Sequence, residues 1–213
     1  FYQKNGMEVT YVGNPLLDEI SKGNFKLTYQ SEKPIIALLP GSRKQEIECI
    51  LPQMLMVVND FPAHQFVIAA TNSFTKAYYQ SFIKEKNVGL VLDETYGLLS
   101  NATAALVTSG SATLETALFN VPQVVCYKAS WLTYVLAKNL ITIKYLSLVN
   151  ILMDKLVVTE LIQSELNQDK LKQELELVLG KNENTLLAYK KLKELLNKKG
   201  ASKNAAKFIT DSI

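Results

Sequence analysis

Residues Pro34–Leu55 read PIIALLPGSRKQEIECILPQML, and the fold class is decided there. PIIALLP (Pro34–Pro40) is a short apolar run without polar alternation, the pattern of a strand buried on both faces. Gly41-Ser42-Arg43 follows at once. From Lys44 the apolar positions change to helical spacing, with Ile47, Ile50, Leu51, Met54 and Leu55 on one face of a helix reaching to about Asn59. A buried strand, a glycine turn and an amphipathic helix form the first half of a βαβ unit.

The same unit repeats downstream. FVIAAT (Phe66–Thr71), VGLVLD (Val88–Asp93), AALVTS (Ala104–Ser109) and QVVCYK (Gln123–Lys128) are further apolar runs. Helical spacing separates them over Phe74–Lys86, Tyr96–Asn101 and Ala112–Asn120. Right-handed crossovers then predict an α/β, Rossmann-like, doubly wound parallel sheet of five or six strands. Beyond Ala129 the pattern turns helical. Candidates are Trp131–Ile141, Asp169–Leu179 (Leu171, Leu175, Val178 and Leu179 inward, Gly180 as the stop), Thr185–Lys198 (Leu192, Leu195 and Leu196 apolar) and Lys203–Thr210. We expect one domain over 1–213, with a Rossmann-like core over about 1–142 and a mostly helical tail over about 143–213.

Composition narrows the chemistry. The 213 residues are 48% hydrophobic and 20% charged, ordinary for a globular domain large enough to bury a core. No apolar stretch is long enough to span a membrane as a helix. Cys49 and Cys126 are too few for a disulfide framework and fit a reducing compartment as packing residues. His64, the single histidine, reads as a surface-loop residue and leaves no histidine metal cluster or His-dependent triad. The net charge of +3 gives no argument for nucleic acid. Tyr78, Tyr79 and Trp131 read as packing, and the Lys190–Lys199 stretch as a solvated helix face, with contact to an anionic membrane surface as the alternative. The chain opens FYQKNGMEV, without an initiator Met or a signal-peptide pattern, and is expected to be part of a longer protein.

Ligands of open α/β sheets bind at the carboxyl ends of strands, and two such ends carry unusual residues. At the first, Gly41 lets backbone approach a ligand, Ser42 is placed to cap the helix, and Arg43 offers a fork of donors to phosphate beside a positive helix end. A plain Gly-Ser turn with a solvated arginine reads equally well. At the second, VTSGSATLETAL (Val107–Leu118), Ser109, Gly110 and Ser111 leave the amides of a helix starting at Ala112-Thr113 open to an anion. Glu115 lies one turn in, near enough to accept from a pair of ribose hydroxyls, or placed simply to suit the helix dipole. Together the two ends suggest a nucleoside diphosphate. GxxxxGK[ST], GxGxxG after a strand and GxSxG are all absent, so Walker nucleotide hydrolysis, the dinucleotide fingerprint and a nucleophile elbow have no support. Asn150, inside the apolar stretch Ile143–Gln163, requires hydrogen-bond partners and is open to a loop-fixing role.

Four segments carry a resemblance: YVGNPLLDEI (Tyr11–Ile20), LLPGSRKQEIECILPQML (Leu38–Leu55), SGSATLETALFNVPQVVCYK (Ser109–Lys128) and YLSLVNILMDKLVVTELIQ (Tyr145–Gln163). In order and spacing they resemble the lipid-A-disaccharide synthase family, over nearly the whole chain. Departures are Val149 and Thr159, where many relatives carry proline; neither removes a functional group.

The resemblance implies one half of a GT-B glycosyltransferase, the C-terminal nucleotide-binding half, with the N-terminal acceptor domain absent here. It implies inverting transfer of 2,3-diacylglucosamine from UDP-2,3-diacylglucosamine to lipid X (2,3-diacylglucosamine 1-phosphate), giving UDP and the β-1,6-linked lipid A disaccharide 1-phosphate. No metal or cofactor is implied. Arg43 would stabilise the leaving diphosphate, with Gly41 and Ser42 beside it. Ser109, Gly110, Ser111 and Thr113 would line the diphosphate, and Glu115 would hold the ribose. Asn150 would face the donor, and Glu160 would stand with it. The general base is expected on the missing domain. That domain, a second copy of the chain and the cytoplasmic face of the inner membrane are the partners the resemblance allows. Another UDP-sugar glycosyltransferase, a UDP-GlcNAc epimerase and a non-catalytic nucleotide-binding module are the alternatives.

Overall fold

The computed structural model describes residues 6–84, 87–129, 144–197 and 200–211. Six parallel strands form one sheet: β1 Ile35–Leu39, β2 Gln65–Ala70, β3 Val88–Leu92, β4 Ala102–Thr108, β5 Gln123–Tyr127 and β6 Glu160–Ile162. Their spatial order is β3-β2-β1-β4-β5-β6. Winding starts at β1, moves outward to β3, then reverses across β1 to β4, the two-directional order of a Rossmann sheet.

Among the described residues the helices are α1 Pro15–Ser21, α2 Lys44–Met54, α3 Lys76–Ile83, α4 Thr95–Asn101, α5 Ser111–Leu118, α6 Leu148–Met153, α7 Gln168–Gly180, α8 Glu183–Leu196 and α9 Ala201–Thr210. Alternation along the strands divides the core between two faces. Ile36 and Leu38 of β1 pack with α2, α3 and α7 through Ile47, Ile50, Tyr79, Leu171 and Leu175. Ile35, Ala37 and Leu39 point the other way, onto Leu98 and Leu99 of α4. On that second side Leu114 and Leu118 of α5 pack with Tyr189 and Leu192 of α8. Both faces are therefore covered, which is why β1 and β2 read as unbroken apolar runs.

Several expectations need correction. The α2 helix stops at Met54 and continues as a 3-10 turn over Leu55–Asp60 rather than as α-helix to Asn59. Pro52 lies in its last turn, where it removes an amide donor and crowds the preceding turn. The sheet has its sixth strand beyond the expected boundary at residue 142, because β6 pairs with β5. Leu161 of β6 and Leu171 of α7 join the central core, so the tail is part of the sheet's packing. Within the tail, Leu195 faces outward at 59% exposure while Leu192 and Leu196 are buried. The expected helix over Trp131–Ile141 lies outside the described residues, as do Trp131 and the ends of the expected helices at Lys86 and Lys198.

Candidate functional site

The reversal of winding separates the carboxyl ends of β1 and β4, and a cleft of about 320 Å³ opens there. Gly41, Ser42 and Arg43 follow β1 on one side; Ser109, Gly110 and Ser111 follow β4 on the other. Thr71 beyond β2, Thr95 at the start of α4, and Glu46 and Glu115 one turn into α2 and α5 complete the walls. Both α2 and α5 start at this cleft. Their first amides lack intrahelical acceptors and carry the positive end of each helix dipole, so the cleft favours an anion.

The N-cap of α2 is Arg43, not Ser42. The Glu46 carboxylate folds back under the turn, accepting from the Arg43 amide at 3.3 Å and from its Nη1 at 2.8 Å. A Cβ on Gly41 would stand 2.5 Å from Glu46 Oε2, and Gly41 has φ +104°, so the turn requires glycine. The Arg43 side chain is 83% exposed, so this ion pair is worth little to stability but holds the guanidinium at the mouth of the cleft.

The N-cap of α5 is Gly110, at φ +143°. Helix α5 begins at Ser111, one residue earlier than expected. The Ser109 hydroxyl donates to the Leu146 carbonyl at 2.9 Å, tying the β4 end to the loop before α6. Thr113 does not reach the cleft surface. It is fully buried, its hydroxyl donating to the Gly110 carbonyl at 2.8 Å and accepting from the Leu148 amide at 3.2 Å. Glu115 is half-buried and accepts from the Tyr96 hydroxyl at 3.3 Å. Burial pushes the Glu115 carboxyl above the usual carboxylate range, and the Tyr96 hydrogen bond partly offsets this. Burial, with the Glu115 charge, pushes Tyr96 up to about 12.

Asn150 and Glu160 are not among the residues lining the cleft. Asn150 is fully buried, and its amide satisfies all four hydrogen-bonding positions. Oδ1 accepts from the Val157 and Val158 amides at 2.7 and 3.0 Å; Nδ2 donates to the Val158 carbonyl and to Glu160 Oε1 at 2.9 and 2.8 Å. Glu160 also accepts from the Leu146 and Ser147 amides at 2.9 and 2.8 Å. The pair therefore fixes the loop that Ser109 leans on.

Three cleft residues escape the sequence reading. Glu46 stands three residues after Arg43, the spacing at which a carboxylate returns to an N-cap amide. Thr71 and Thr95 lie at the ends of β2 and β3, where an open sheet offers ligand contacts; their threonines carry no other signal. The Thr71 hydroxyl is buried and finds no partner among the described residues. Among the described residues no group of three His, Cys, Asp or Glu could hold a metal ion. No described helix is long and apolar enough to cross a membrane.

A family model described as lipid-A-disaccharide synthetase matches residues 1–210. The chain belongs to the lipid-A-disaccharide synthetase family. A lipid-A-disaccharide synthase from Chromobacterium violaceum is 36% identical over 190 residues, 82% of this chain and 49% of that protein. One from Syntrophus aciditrophicus is 33% identical over 212 residues, 93% of this chain and 55% of that protein. The chain thus spans about half the length of the curated relatives it matches.

Among solved structures, the calicheamicin glycosyltransferase CalG4 superposes with a TM-score of 0.58 at 14% identity, over 84% of this chain and 43% of that one. Spinosyn rhamnosyltransferase SpnG complexed with thymidine diphosphate gives 0.56 at 13% identity, over 82% and 45%. At such identities these likenesses show the fold alone. The lipid-A-disaccharide synthetase family is established by the sequence, and the fold by the likeness to solved glycosyltransferase structures.

Proposed function

We propose that this chain is the donor-binding half of a lipid-A-disaccharide synthase. Its cleft would take the UDP moiety of UDP-2,3-diacylglucosamine, and the second half of the longer protein would bring lipid X. The observation that carries this is the cleft at the reversal of winding, where two helix N-termini and Arg43 converge in a chain of this family. The family, not the fold, supports the choice of donor.

In the proposed transfer, the 6-hydroxyl of lipid X attacks the anomeric carbon of the donor sugar. The bond from that carbon to the UDP oxygen breaks, and the hydroxyl proton passes to a base. Configuration inverts, giving the β-1,6 link. Negative charge grows on the departing diphosphate, and fixed donors aimed at it lower the barrier. The amides at the start of α5 and the Arg43 guanidinium are such donors, needing little rearrangement. Glu115 would accept from the ribose hydroxyls. Glu46 is paired with Arg43 and Glu115 is given to the ribose, so we place the general base on the other half. Acceptor binding and contact with the inner-membrane surface belong there as well.

Calorimetric titration with UDP, beside GDP, tests the nucleotide site. UDP should bind selectively, and Arg43→Ala should weaken it about tenfold or more, the effect of one lost charge-assisted phosphate contact. Equal binding of UDP by parent and variant would remove Arg43 from the site. The catalytic division is tested separately. This 213-residue chain should form disaccharide at a negligible rate against a two-domain protein assayed with the same donor and lipid X. Robust synthesis by the chain alone would put the base inside it.

A further inference from the structure

We propose that Tyr96 is a positioning residue for Glu115, holding one carboxylate oxygen so that the other is presented to a nucleoside diphosphate's ribose. The proposal rests on the ribose role given to Glu115 above.

Glu115 Oε1 accepts from the Tyr96 hydroxyl at 3.3 Å, across the gap between α5 and α4. Glu115 lines the cleft; Tyr96 is not among its lining residues, so the tyrosine acts from behind the wall. The phenol ring is itself held on two sides. Phe25 meets it edge-on with centroids 5.1 Å apart, and Phe119, at the end of α5, lies 5.2 Å away. Phe25 and Phe119 also touch each other, at 5.6 Å, closing a three-ring cluster. The segment carrying Phe25 is in turn fastened to the start of α4. The Glu94 carboxylate accepts from the Thr28 amide and hydroxyl at 2.6 and 2.7 Å. The hydroxyl thus has little freedom, and neither has the oxygen it binds. A carboxylate fixed through one oxygen keeps lone pairs on the other for a ligand, and the ordering is done before the ligand arrives.

The charged groups around Glu115 bear on its readout. Arg43 and Glu46 stand across the cleft at the start of α2, paired with each other. The Glu19 charge of α1 also bears on Tyr96, more weakly than Glu115 does. Only the Tyr96 hydrogen bond is found lowering the Glu115 pKa against its burial. Removing the hydroxyl must then raise the Glu115 pKa further. Nucleotide affinity, present above that pKa, would be lost at a higher pH as the solution is acidified.

Tyr96→Phe keeps the ring cluster and removes only the hydroxyl. Carbon-13 NMR titration of the Glu115 carboxyl in the free chain should show its pKa higher in Tyr96→Phe than in the parent, with no nucleotide needed. UDP affinity should fall about threefold to tenfold, the range for one hydrogen bond lost. The fall should vanish for a uridine diphosphate lacking both ribose hydroxyls, a distinction a merely loosened fold would not make. Glu115→Gln separates the two layers. If it leaves UDP affinity unchanged, the ribose role fails and the positioning role with it. If it weakens UDP while Tyr96→Phe changes neither affinity nor the Glu115 pKa, the positioning role alone is overturned.

Discussion

Asn150→Ala lowers the midpoint of thermal unfolding by roughly 10 °C. The side chain has no exposed surface and completes four hydrogen bonds, one of them to the Glu160 carboxylate. Truncation strands the buried Val158 amide and carbonyl and the half-buried Val157 amide, and takes one donor from the half-buried Glu160 carboxylate. Each unsatisfied group costs about 1–3 kcal/mol, so a total of roughly 3–5 kcal/mol is expected after partial relaxation. A chain of this size loses about 2–4 °C per kcal/mol. Asn150→Asp is no rescue. It keeps the acceptor for Val157 and Val158 but turns the donor facing Glu160 into a second carboxylate oxygen. Differential scanning calorimetry of both variants decides the matter, and a loss under about 2 °C would mean that the network carries no weight.

The same network predicts where the damage travels. Glu160 holds the Leu146 and Ser147 amides, and the Leu146 carbonyl holds the Ser109 hydroxyl at the cleft. Asn150 is thus linked to the nucleotide site through Glu160 and the Leu146 peptide. Well below its melting point, Asn150→Ala should retain most UDP affinity, whereas a direct donor contact would lose it. That contrast separates a loop-fixing asparagine from a ligand-binding one.

Legibility followed the physical signal in each segment. Strands β1, β2, β4 and β5 stand out because burial on both faces forces consecutive apolar residues; β3, at the sheet edge, buries only alternate residues fully but keeps an apolar run. β6 does not stand out, because three residues at the sheet edge, Glu160-Leu161-Ile162, bury only the middle one. The helix face of α2 was legible down to its inward residues; its change to a 3-10 turn was not, since Pro52 lowers helix propensity without fixing where the helix must end. At the site, glycine and serine after a strand mark a backbone that approaches a ligand, so Gly41, Ser42, Ser109, Gly110 and Ser111 could be picked from the chain. Thr113 could not be separated from them, because whether a hydroxyl at the start of a helix faces the cleft or the next loop depends on α6, far along the sequence. Tyr96 was silent for the same reason: it acts through a partner, and a partner is a property of the fold.

The two cleft glycines offer the sharpest division between fold and site. Both have positive φ, +104° at Gly41 and +143° at Gly110, which a Cβ makes costly by about 1–3 kcal/mol. They differ in what that Cβ would meet. At Gly41 it would stand 2.5 Å from Glu46 Oε2 and 3.0 Å from Glu46 Cβ, and Glu46 is held by Arg43 and its own helix. At Gly110 nothing lies within 4 Å, although the residue lines the cleft. Gly41→Ala should therefore lower the melting point of the ligand-free chain more than Gly110→Ala does. Gly110→Ala places its methyl in open space at the start of α5, where a diphosphate must approach the helix amides. A displacement of about 1 Å there forfeits charge-assisted hydrogen bonds worth about 1.5–3 kcal/mol each, so UDP affinity should fall by about a hundredfold or more when two are lost. Gly110→Ala binding UDP as tightly as the parent would move the diphosphate away from α5 and leave Arg43 as the anchor to build on.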